Sequence, residues 1–253
     1  MSEQATAVLI HGLSETREVW WRQLAYLEQS MRVVSYDIRG FGNSPTGSAN
    51  GTVEQMADDL GQLLSAMEAG PAWLVGFSMG GVISQRFALD FPEMTKGLVL
   101  IASSCAVGRG GQEFFKHRVE QVTTGGLESL SETNDKDARG CFYTTDENLI
   151  NEYLKTRIGA VRDAAGYLNA CNAMLNLSEK PLTGELGAIR CPTLVIAGEH
   201  DPYCPPKASK MISDAIPGAE LIVIDGVGHC MQFEASDKLN KLTADFIDRH
   251  EKA

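Results

Sequence analysis

Six short apolar runs recur along the 253 residues, and stretches with helical spacing fill most of the gaps. The runs are Ala7–Ile10, Arg32–Tyr36, Ala72–Val75, Lys96–Ala102, Thr193–Ala197 and Glu220–Ile224. Their length suits strands, and their near-continuous apolar character suits strands buried on both faces. Between them, Glu18–Gln29, Thr52–Met67, Met79–Asp90, Pro206–Ala215 and Ser236–His250 read as helices. In Thr52–Met67 the residues Val53, Met56, Leu60, Leu63, Leu64 and Met67 fall at three- and four-residue steps, with Thr52 as N-cap and Gln55 completing a capping box. Strands alternating with helices predict an α/β fold: a mostly parallel, doubly wound sheet of about six strands with helices on both faces.

The rhythm fails once. Between Cys105 and Arg190 no buried strand is legible, while Glu113–Val122, Glu147–Ile158 and Ala164–Leu177 look helical. The expected organisation is a core formed by residues 1–104 and 191–253, with 105–190 inserted as a helical unit.

Composition narrows the function classes. The chain carries 22 basic and 33 acidic residues, a net charge of −11, with no Lys/Arg-rich run. Nucleic acid and anionic membranes need clustered positive charge, so neither is an expected partner. No apolar stretch approaches the ~20 residues of a membrane-spanning helix. The first residues lack the basic and apolar regions of a signal peptide. Cys105, Cys141, Cys171, Cys191, Cys204 and Cys230 are scattered without a CxxC pair. They read as reduced thiols of a cytoplasmic protein without structural zinc.

The strongest chemical signal is Gly76-Phe77-Ser78-Met79-Gly80-Gly81, which follows a strand and opens a helix. That is the context of a G-x-S-x-G nucleophile elbow, a turn sharp enough to lift the serine hydroxyl out of the sheet. The bare pattern arises by chance in roughly one chain in ten of this length, so its partners carry the argument. Of five histidines, His229 lies on a glycine loop just past the last strand. Loops at the C-terminal ends of parallel strands converge on one rim, which puts His229 within reach of Ser78 as its base. Asp201, after the strand Thr193–Ala197, reaches the same rim and is expected to orient the histidine. Asp225 competes by closeness in sequence, and Glu199 and Asp214 are weaker rivals. The backbone N–H groups of Leu13 and Met79 are expected to form an oxyanion hole. His11 is expected to hold its loop rather than join the chemistry.

With these pieces in order, the chain resembles the α/β-hydrolase fold family. The resemblance rests on His11-Gly12, Asp37-Ile38-Arg39-Gly40-Phe41-Gly42-Asn43-Ser44, the elbow, Gly198-Glu199-His200-Asp201 and Gly228-His229. It implies Ser78 as nucleophile, Asp201 as acid, His229 as base, structural roles for Asp37 and Arg39, and a helical cap roofing the pocket. Only about six residues precede the first strand, so the antiparallel hairpin that opens many relatives is expected to be missing. Phe77 stands where relatives that cleave carbon–carbon bonds often carry Asn, and Ser78 excludes an aspartate nucleophile.

The favoured reading is a serine hydrolase of a carboxylic ester or lactone, with no metal or organic cofactor. A carbon–carbon hydrolase or lyase on the same triad stays open, as does a small-molecule receptor with slow turnover. Pocket walls are expected from Trp20, Phe77, Met79, Phe114, Phe115, Tyr167 and Met174, giving an apolar site.

Overall fold

The computed structural model describes residues 4–252, apart from the side chain of Glu132. Six strands form one parallel sheet: β1 (Thr6–Ile10), β2 (Arg32–Tyr36), β3 (Ala72–Phe77), β4 (Thr95–Ile101), β5 (Thr193–Gly198) and β6 (Glu220–Ile224). Their order is β2-β1-β3-β4-β5-β6. Every pairing is parallel, so all six strands deliver their C-terminal ends to one edge. No hairpin precedes β1 among the described residues.

Around the sheet and its loops lie α1 (Trp21–Leu27), α2 (Val53–Ala66), α3 (Met79–Asp90), α4 (Arg109–Gly125), α5 (Ser131–Arg139), α6 (Glu147–Thr156), α7 (Ala164–Glu179), α8 (Pro206–Ala215), α9 (Met231–Glu234) and α10 (Ser236–Glu251). None is long and apolar enough to cross a membrane.

Side chains alternate between the two faces along each strand, and the core divides accordingly. Val8, Ile10, Leu74, Leu98 and Leu100 pack with α2, α3 and α8. Ala7, Leu9, Trp73, Val75, Val99 and Ile101 pack with α10 and the turn before α1. Central strands β1, β3 and β5 are buried at every residue, whereas the edge strands are half-covered. Each buried Leu, Ile or Val side chain contributes roughly 1.5–3 kcal/mol by leaving water.

Helices α4 to α7 occupy the interval between β4 and β5 and contribute no strand to the sheet. The segment is tied to the loop after β2. Gly42 N–H donates to Ala160 O (2.9 Å), Phe41 pairs with Val161, and the backbones of Gly40 and Gly166 meet with no room for a Cβ on either.

Two local expectations change. The first helix begins as a 3-10 turn, Arg17–Trp20, because Thr16 caps it early by accepting from Glu18 N–H. At α2, Thr52 Oγ1 accepts from Gln55 N–H (3.2 Å), but the Gln55 amide does not return to Thr52. It bridges Asn50 N–H and Ser48 O instead, clasping the preceding loop. Helix α5 carried no periodic apolar signal, since SETNDKDAR is almost wholly polar.

Candidate active site

Ser78 stands between β3 and α3 with φ 53° and ψ −117°, in a left-handed region that non-glycine residues enter at a cost of about 1–3 kcal/mol. The surrounding bonds hold it there. Its N–H donates to Ile101 O (2.9 Å), and its carbonyl accepts from Gly81 N–H (3.0 Å) and Ser103 Oγ (2.9 Å). The flanking glycines are a steric need. A Cβ on Gly80 would lie 2.1 Å from Ile10 O, and one on Gly76 would lie 2.5 Å from Gly80 O.

Asp201 and His229 meet on the same rim. His229 Nδ1 and Asp201 Oδ2 are 2.7 Å apart, with both side chains nearly excluded from solvent. The other Asp201 oxygen accepts from the N–H groups of Tyr203 and Cys204, each at 2.8 Å. Burial opposes a charge on His229, but the Asp201 carboxylate and its hydrogen bond outweigh burial and hold the imidazole up at about 9. With Nδ1 bonded to Asp201, Nε2 is the nitrogen left for chemistry. The backbone of His229 is anchored from the helical segment, its N–H donating to Cys141 O (2.7 Å). The rival carboxylates point elsewhere. Asp225 is exposed, Glu199 accepts from Gly226 N–H, and Asp214 pairs with Lys210.

The loop after β1 is braced by His11 and Glu15. His11 Nε2 accepts from Ile38 N–H (2.9 Å) while Nδ1 donates to Gly12 O (2.8 Å). Burial lowers its pKa to about 4, so the ring is neutral. Glu15 Oε2 accepts from Gly12 N–H (2.8 Å), fixing the peptide next to Leu13. Asp37 accepts from Arg17 N–H and Asn43 N–H, and Arg39 grips Asp59 with both edges of its fork.

A cavity of about 710 Å³ opens between this rim and the helical segment. Leu13, Phe77, Ser78, Met79 and His229 form its rim side, and Phe114, Phe115, Tyr167 and Met174 approach from α4 and α7. Met79 opens α3, where backbone N–H groups have no intrahelical acceptor, and it lines the cavity together with Leu13. Trp20 corrects the expectation. It is fully buried in the core beside Ala7 and Leu9, because the 3-10 turn directs it into the sheet and away from the cavity.

The cavity also holds residues that sequence reasoning passed over: Glu15, Tyr153, Arg157 and Tyr203. Tyr153 OH donates to Glu15 Oε1 (2.7 Å), Arg157 Nη1 donates to Tyr153 OH (2.8 Å), and the Tyr203 ring lies 5.3 Å from that of His229. No spacing rule signals this group, since Glu15 and Tyr153 are 138 positions apart. Among the described residues, no three His, Cys, Asp or Glu side chains gather as a metal site.

The chain belongs to the α/β hydrolase fold family, whose model matches residues 7–236. It is 27% identical over 250 residues to RutD, a proposed carbamate hydrolase of Pantoea ananatis, spanning 98% of this chain and 90% of that protein. Its structure is similar to the enol-lactonase of Burkholderia xenovorans LB400, with a TM-score of 0.87 and 26% identity over 98% of this chain and 92% of the other. It is also similar to a thermophilic esterase from Thermogutta terrifontis, with a TM-score of 0.85 and 25% identity over 98% and 91%.

Proposed function

We propose that the protein is a serine hydrolase of carboxylic esters or lactones, with Ser78, His229 and Asp201 as its triad. The observation that carries this reading is the 2.7 Å contact between His229 Nδ1 and Asp201 Oδ2, beside a cavity that His229 and Ser78 both line. Asp201 selects the tautomer whose Nε2 can accept the serine proton. Ser78 Oγ attacks the carbonyl carbon, and His229 takes the proton and then delivers it to the leaving oxygen. In a lactone that oxygen stays tethered as the ring opens. The N–H groups of Leu13 and Met79 stabilise the tetrahedral oxyanion, each donor being worth about 10²–10³ in rate. Water activated by His229 then releases the acyl group. Residues 105–190 act as a cap that roofs the pocket, and Phe77, Phe115, Tyr167 and Met174 shape the acyl or ring site. The lactonase and esterase likenesses support the substrate class.

A fluorophosphonate probe tests the nucleophile directly. The expected adduct maps to Ser78 by mass spectrometry, and Ser78→Ala lowers kcat on an ester or lactone panel by about 10⁶. A label on another residue, or turnover that survives Ser78→Ala, overturns the assignment.

A further inference from the structure

Arg157 caps the C-terminal end of α6 and lines the proposed active-site cavity. Among the described residues its side chain makes one hydrogen bond, from Nη1 to Tyr153 OH (2.8 Å), and its guanidinium carbon sits 5.4 Å from the Tyr153 ring centre. Among the described residues no carboxylate forms an ion pair with it, unlike other arginines half-buried or deeper. Arg39 holds Asp59, Arg86 holds Asp90 and Glu185, and Arg118 holds Asp137. The acid near it is occupied. Glu15 spends Oε2 on Gly12 N–H and Oε1 on Tyr153 OH. Asp137, the other acid on the cavity wall, is bound by Arg118 (2.6 Å). Arg157 therefore brings a permanent positive charge and unused planar donors to a cavity whose own acids are committed. Partly buried guanidinium donors of this kind match a carboxylate in fork geometry.

We infer that Arg157 is a subsite for a carboxylate carried by the substrate, so that the preferred ester or lactone is an anionic one with its charge remote from the scissile carbonyl. Tyr153 sets the guanidinium: its hydroxyl accepts from Arg157 while donating to Glu15, which fixes the fork's orientation. Glu15 thereby links the loop before Leu13 to the charged subsite, and both are braced by one carboxyl group. The inference rests on the serine-hydrolase reading for what happens to the ligand, but not for whether it binds.

The test separates binding from turnover. Ser78→Ala protein is titrated calorimetrically with monomethyl glutarate and with dimethyl glutarate, a pair differing by one carboxylate. The monoester is expected to bind at least tenfold more tightly, the scale of a charge-assisted hydrogen bond. Arg157→Gln on that background erases the preference, Arg157→Lys keeps part of it, and Lys207→Gln, at the exposed mouth of the cavity, keeps it whole. Equal binding of the two ligands by Ser78→Ala protein overturns the inference without any Arg157 variant. A preference that survives Arg157→Gln in folded protein overturns it too and hands the role to Lys207. Fluorophosphonate labelling of Ser78 alongside equal binding sinks the subsite and leaves the serine-hydrolase reading intact. Carboxylate preference without labelling does the reverse.

Discussion

The rim of the sheet and the helical segment facing it build one cavity by different means. On the rim, backbone geometry places the chemistry. Ser78 is fixed by a left-handed turn wedged between glycines, Asp201 follows the fully buried β5, and His229 follows the half-covered edge strand β6. Opposite, amphipathic helices offer side chains. Phe114 and Phe115 on α4 are only partly buried, and Arg157, at the end of α6, rests its guanidinium on the Tyr153 hydroxyl. The rim tolerates little change because its atoms are over-determined, whereas the first turn of α4 has open space at Gly110. On the proposed reading, the rim carries the reaction and the helices select the substrate.

The largest effect that can break this contrast is at Asp201. Replacing a buried triad carboxylate by an amide presents the wrong hydrogen-bond pattern to the imidazole and costs about 10⁴ in kcat in a serine protease. Asp201→Asn is expected to lose on that order, while Asp225→Asn, an exposed turn residue, loses less than about tenfold. Both should fold, as circular dichroism would confirm. Equal losses on one ester, or the reverse order, would mean that the rim does not fix the acid.

Two buried histidines on the same rim sharpen the point through pH. Burial drives His11 down to about 4, whereas Asp201 overcomes burial and holds His229 at about 9. A base works unprotonated, so a raised pKa moves the ascending limb of kcat/KM upward. From pH 6.5 the rate is expected to climb toward a plateau near 9, gaining roughly 10² because free base grows about tenfold per pH unit below the pKa. The charged, paired His229 stabilises the fold below its unfolded pKa of 6.5, and that contribution fades as pH rises through about 9. An ascending limb at or below 6.5 would show that Asp201, with Glu15 and Cys141 also facing His229, does not carry the charge.

How much could be read from the chain follows the same division. The six strands and the Ser78, Asp201 and His229 positions announce themselves, because parallel strands send their loops to one edge and glycines mark the tight turns. Trp20 shows the limit: a large aromatic near an active-site loop reads as pocket or core alike, and only the 3-10 turn decides for core. Tyr153, Arg157 and Glu15 were invisible, since a hydrogen-bond chain assembled across 138 positions has no local period. Helix α5 hid for another reason: it lacks the apolar stripe that periodicity needs.

The smallest effects come from adding one methyl group on each side of the cavity. Gly80 leaves no space, since its Cβ would sit 2.1 Å from Ile10 O and 2.6 Å from His11 O, both backbone atoms of a central strand and the loop it feeds. Neither can retreat without breaking the β1–β3 register that aligns Ile10 with Gly76. Overpacking that cannot relax costs about 3 kcal/mol or more, so Gly80→Ala should lower Tm by roughly 6–12 °C. Gly110, in the first turn of α4, meets nothing within 4 Å of the same added atom, and its φ is not left-handed. There the methyl group only restricts the unfolded chain and favours the helix, so Gly110→Ala should stabilise by about 0.4–1 kcal/mol and raise Tm by roughly 1–4 °C. Differential scanning calorimetry on the two variants reads both signs. A shared sign would mean that the helical segment is packed as tightly as the rim, and its freedom to vary would then need another source.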